Sequence, residues 1–131
     1  MSKKITLTFL CLLFTSVVLA ESPEQQTQQI VNQIVDQANK NHCDQIASWI
    51  NVSHSKPTVG NYKITDDKLK IDSVCQSVRE FSGGKKPKFE KFEEQSKGSD
   101  TYYLEYVKFG KVSKMFAFIK FQEQLLLVDI D

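Results

Sequence analysis

The chain predicts an α+β domain in which three N-terminal helices pack on one face of a curved, four-stranded antiparallel meander. Two observations carry that expectation. From Tyr102 to Ile130 the runs YYLEYVKF, VSKMFAFIKF and LLLVDI read as strands, joined by turns too short for anything but antiparallel hairpins. Upstream, apolar residues recur at three- and four-residue spacing between turn-prone clusters, which is the pattern of amphipathic helices that need a surface to cover.

The first residues set the compartment. Lys3 and Lys4 precede an apolar run from Ile5 that closes on Val18, Leu19 and Ala20, as in a secretory signal peptide cleaved after Ala20. The run is short for a membrane span of roughly 20 residues. Cys11 lies in mid-run, where it cannot take a lipid, so no stable membrane anchor is expected. The expected product, residues 21–131, is a single domain exported to a bacterial periplasm or secreted. The whole chain has a formal net charge of +1. Acids and bases alternate along it, which points away from nucleic acid and from strongly anionic partners. Cys43 and Cys75 remain after processing, and in an oxidising compartment they are expected to form a disulfide.

Ser22, Pro23, Glu24 and Gln25 start a helix over 23–39, with a capping hydroxyl, proline at the first helical position and glutamine three residues after the cap. Ile30, Val31, Ile34, Val35 and Ala38 line its apolar face, and the many glutamines fill a solvated one. Asn39, Lys40 and Asn41 interrupt the pattern. A second helix over 42–50 places Cys43, Ile46, Ala47 and Ile50 together, with Trp49 flanking. Residues 51–61 read as loop, with a short extended piece at 62–64. Asn51, Val52 and Ser53 fit the glycosylation acceptor pattern, which matters only in a eukaryotic host. Thr65, Asp66 and Asp67 start a helix over 66–82 whose face is Ile71, Val74, Cys75, Val78 and Phe81, and Gly83 and Gly84 end it. Strands follow over 87–96, 101–109, 112–121 and 125–131. In the first of these Phe89 and Phe92 have opposite parity, which a bulge reconciles; the charges around them suit an edge strand.

A Gly110–Lys111 turn pairs Phe109 with Val112, Tyr106 with Met115, Leu104 with Ala117 and Tyr102 with Ile119. With Glu123 and Gln124 as the next turn, Phe121 meets Leu126, Ile119 meets Val128, and Ala117 meets Ile130. One sheet face is then free of charge: Tyr102, Leu104, Tyr106, Met115, Ala117, Ile119, Phe121, Leu126, Val128 and Ile130. It is expected to be the core face beneath the helices. The opposite face mixes Glu105, Lys114, Lys120 and Asp129 with Tyr103, Phe109, Phe116, Phe118 and Leu127, and those five apolar residues are expected to form an interface, the alternative being a sheet that curls and covers part of this face with the loop over 51–64.

This element order resembles the nuclear-transport-factor-2-like superfamily of cone-shaped, cystatin-like α+β domains, with LLLVDID similar to the closing strand of small exported members. The resemblance implies a cone that encloses a pocket, where Tyr102 and Tyr106 would place their hydroxyls. Isomerase-like and dehydratase-like members hold an acid or a His/Asp pair there, and none of those motifs occurs in this chain. His42, Asp44, His54, Asp72 and Asp129 read as solvated surface groups. No catalytic, cofactor-binding or metal-ligating residue is singled out, and no cofactor is expected. The function expected first is an exported, non-catalytic interaction module. It would bind a protein partner or its own copy through the mixed face, an immunity or inhibitor protein being one case. The alternatives are a carrier of a small apolar ligand and an isomerase- or dehydratase-like enzyme.

Overall fold

The structure, a computed structural model, describes residues 21–50, 67–121 and 123–131. The expected signal peptide, the Asn51 acceptor, His54 and the start of the third helix lie outside these residues. Helix α1 spans Pro23–Asn39, a 3-10 helix spans Cys43–Trp49, and α2 spans Asp67–Ser82. Strands β1 (Lys88–Lys97), β2 (Asp100–Phe109), β3 (Val112–Phe121) and β4 (Gln124–Ile130) follow. They form one antiparallel sheet in chain order, curved and unclosed. The α+β architecture is thus the expected one.

Helix α1 begins with the capping box that its sequence announces. Ser22 Oγ accepts from the Gln25 backbone N–H at 3.2 Å, and Gln25 Oε1 accepts from the Ser22 N–H at 3.1 Å. Thr27, Val31, Ile34, Val35 and Ala38 are buried along its inner face. Ser22→Ala removes the hydroxyl that accepts from the Gln25 N–H, leaving the backbone bond to Gln25 Oε1 in place, and is expected to cost about 1 kcal/mol, read as a lower urea midpoint with an unchanged slope. After α1 the chain turns on Asn41 at a φ of 61°, a left-handed conformation that asparagine tolerates. The next segment is a 3-10 helix and not an α-helix, in keeping with its short length of 7 residues, and His42 at its start makes no side-chain cap. Helix α2 ends at Gly83, whose φ of 56° lets its N–H reach the Arg79 carbonyl at 3.1 Å.

The β2–β3 register is the expected one throughout. The bulge in β1 falls between Phe89 and Lys91, and it puts Phe89 opposite Val107 and Phe92 opposite Glu105, on one face of the sheet. The β3–β4 register differs. Phe121 pairs with Gln124, so the turn is two residues tighter than expected, with Glu123 at a φ of 65°. A second irregularity between Ala117 and Phe118 then reverses parity near the end of β4. Ile130 meets Phe116 and Asp129 meets Ala117.

The helices cover the face opposite to the one expected. Val107, Phe109, Phe116, Phe118 and Leu127 form one buried cluster with Val31, Ile34, Ile46, Val74, Cys75 and Val78 from the helices. Tyr103 and Ile130 pack against it. The residues assigned to an open interface are therefore core. Tyr102 and Tyr106, assigned to an enclosed pocket, lie on the far side, partly buried with Met115 against Leu104, Ala117, Ile119 and Val128. Side-chain volume explains the reversal. Helices resting on a concave sheet leave a gap that phenylalanine fills and alanine does not. Phe81 of α2 lies 5.4 Å from the Phe109 ring and 6.1 Å from the Phe116 ring, while the small Ala117 faces outward. Two charges of the mixed face sit where they can be tolerated: Lys114 lies over the Phe81 ring at 5.2 Å, and Lys120 is exposed.

Candidate functional site

Glu105 is the one acid among the described residues that the fold encloses completely. Its parity within β2 points it at the helices, between cross-strand partners Phe92 and Phe116, and its exposure is 0%. From the second turn of α1, Thr27 Oγ1 approaches Glu105 Oε1 at 2.9 Å and the Glu24 carbonyl at 3.0 Å. A hydroxyl has one proton to give, and both of these oxygens are acceptors when Glu105 is ionised. With Thr27 donating to the Glu24 carbonyl, the second contact is satisfied when Glu105 carries the proton and donates it to Thr27 Oγ1. Glu105 Oε2 has no hydrogen-bond partner. A neutral carboxyl tolerates such an environment far better than a carboxylate. Burial accordingly pushes its pKa from 4.5 up to about 7, against the opposing effect of the Thr27 hydrogen bond and with a small addition from Glu24.

A second cluster surrounds the disulfide. Cys43 and Cys75 are joined, with Cα atoms 5.5 Å apart, and tie the 3-10 helix to α2. Arg79, one turn after Cys75, donates from Nη1 to Asn41 Oδ1 at 2.7 Å and lies 3.3 Å and 3.4 Å from the two sulfur atoms. This guanidinium locks the α1 exit onto α2, and a disulfide in this position is compatible with an exported protein. At the other end of the 3-10 helix, Ile50 bridges to Leu127 and Gln124 Nε2 donates to the Ser48 carbonyl at 2.9 Å, which covers part of the β4 edge.

On the outer face, Lys91 lies over the Tyr106 ring at 5.4 Å and Lys97 over the Tyr102 ring at 6.0 Å. Lys91 also pairs with Glu93, whose hydrogen bond raises the lysine and lowers the glutamate. Burial pushes the Tyr102 phenol up.

The ionisable residues considered from the sequence do not converge. His42 is exposed, with Nδ1 at 3.2 Å from Gln37 Oε1. Asp44 and Asp72 are exposed on the 3-10 helix and on α2. Asp129 is turned by the β4 irregularity to the outer face, beside Ala117. No three metal-ligating side chains gather among the described residues. Glu105 was missed because charge marked its face as outward. The signal that finds it is its register: an acid whose two cross-strand neighbours are both phenylalanine.

The fold and these sites define a small, disulfide-stapled α+β domain with a buried acid beneath its first helix. No family model matches the chain, and no curated protein or solved structure does either.

Proposed function

We propose that the chain is an exported, non-catalytic interaction module that binds a second copy of itself through the sheet face turned away from the helices. The observation that carries this reading is the make-up of that face. Tyr102, Tyr106 and Met115 stand partly exposed on a floor of Leu104, Ala117, Ile119 and Val128, and no residue of the described helices belongs to this cluster. Tyrosine and methionine are enriched at interface cores, and tyrosine buries a large area at low entropic cost. The Lys91–Glu93 pair at the margin supplies both signs of charge. Two copies related by a two-fold axis can therefore meet there without opposing like charges.

Sedimentation of the processed chain at micromolar concentration tests the reading. The expected result is a dimer that Tyr106→Glu converts to a monomer with unchanged circular dichroism. A wild-type monomer across the whole range removes self-association.

Glu105 favours a second reading, a site on the helix side of the sheet. A protonated acid in an apolar setting is a group that a small-ligand carrier or an isomerase-like enzyme would use. That reading requires saturable, one-to-one binding of an apolar fluorescent probe that Glu105→Leu alters.

A further inference from the structure

Lysines from separate segments of the chain meet at one end of the sheet. Lys85 and Lys86 follow α2, Lys88 opens β1, Lys108 lies near the end of β2, and Lys111 sits in the β2–β3 turn. Lys88 and Lys108 are direct cross-strand partners. Lys85 reaches over the turn, so that a Cβ on Gly110 would stand 2.5 Å from its Nζ. Like charges directly opposite one another on neighbouring strands are destabilising. None of these lysines forms an ion pair with a described residue, whereas Lys40, Lys91 and Lys120 are matched to Asp36, Glu93 and Glu123. Glu90 and Asp131 lie at the margin, in a shallow groove with Lys114, and Asp36 lines a groove with Lys85 and Lys86 but pairs with Lys40; none of these acids forms an ion pair with a lysine of the cluster. The hairpin tip adds an independent feature. Val112, 38% exposed, is the one large apolar side chain left exposed among the described residues, and it directly follows Lys111.

We propose that this end of the sheet docks onto an anionic lipid surface, with the lysines at the headgroup plane and Val112 entering the interface. Flexible ammonium groups beside a small apolar tip are the combination that peripheral membrane binding uses, electrostatic attraction plus a shallow apolar insertion. Nucleic acid is the poorer fit. The cluster has no arginine for bidentate base contacts and no exposed aromatic ring for stacking. The attraction would be long-ranged and screened by salt.

Co-sedimentation of the processed chain with vesicles decides it. Binding to phosphatidylcholine vesicles containing about 30% phosphatidylglycerol is expected to exceed binding to pure phosphatidylcholine by about tenfold or more, and to vanish in about 0.5 M salt. Combining Lys88→Gln, Lys108→Gln and Lys111→Gln should reduce binding to the neutral-vesicle level. Val112→Ser alone should weaken it several-fold while leaving its salt dependence intact. Equal binding to neutral and anionic vesicles overturns the proposal, as does a triple variant that binds like the wild type. Retention on heparin or DNA without vesicle binding would also overturn it, assigning the cluster to a soluble polyanion.

Discussion

Between about pH 4 and pH 8 the wild-type chain is expected to lose about 3 kcal/mol of stability relative to Glu105→Gln. The direction follows from proton affinity. Glu105 titrates at 4.5 when exposed and at about 7 in the fold, so the folded state holds its proton over a range in which the unfolded state has released it. Below pH 4.5 both states are protonated and the acid costs nothing on this account. The penalty grows as pH rises towards 7 and levels off above it, where both states are ionised. Other charges near the site are few. Glu24 on α1 adds slightly to the shift. Glu94 on β1 is exposed, and Lys114 on β3 is held over the Phe81 ring. Glutamine keeps the shape of the side chain and an N–H for Thr27, so the variant isolates the charge. Urea unfolding of both proteins at several pH values supplies the measurement. A difference that stays flat across the range would mean that Glu105 is not enclosed as described.

Removing the Cys43–Cys75 disulfide is expected to cost about 3 to 4 kcal/mol. The bond closes a loop with a sequence separation of 32, and the unfolded chain recovers the freedom that this closure denies it. Cys75 is also fully buried and belongs to the main core cluster, so Cys75→Ala adds a loss of packing to the loss of the cross-link. Arg79 would keep its bond to Asn41 but lose both sulfur neighbours. Unfolding with and without a reductant, set beside the Cys43→Ser/Cys75→Ala double variant, measures the effect. A change below about 1 kcal/mol would show that the reduced, unfolded chain already keeps the two segments close.

The legible parts of this fold are those specified by neighbours in sequence. Ser22, Pro23 and Gln25 are the cap of α1 because each partner is three residues away. Gly110 must allow a left-handed turn, and that turn sets the whole β2–β3 register from Phe109–Val112 to Tyr102–Ile119. The β1 bulge was also readable, because two phenylalanines of opposite parity can share one face only if a residue is skipped. Less legible was β4. Its turn offered several equally polar positions, and the parity change near Ala117 leaves no mark in the pattern of LLLVDI.

The sequence by itself determined which elements form, how β2 pairs with β3, and which cysteines are available to staple the 3-10 helix to α2. Only the tertiary structure decided which face of the sheet is the core. Alternation assigns residues to two faces but does not say which one the helices cover; that depends on the volume of the gap they leave, and Phe109, Phe116 and Phe118 fill it. The same decision made Glu105 a buried acid, since its surroundings are set by α1, far away along the chain. Strand pairing and the path of the chain after α2 gathered Lys85, Lys88, Lys108 and Lys111 at one end of the sheet. Along the sequence these bases are diluted by acids, and charge interactions depend on distance through space.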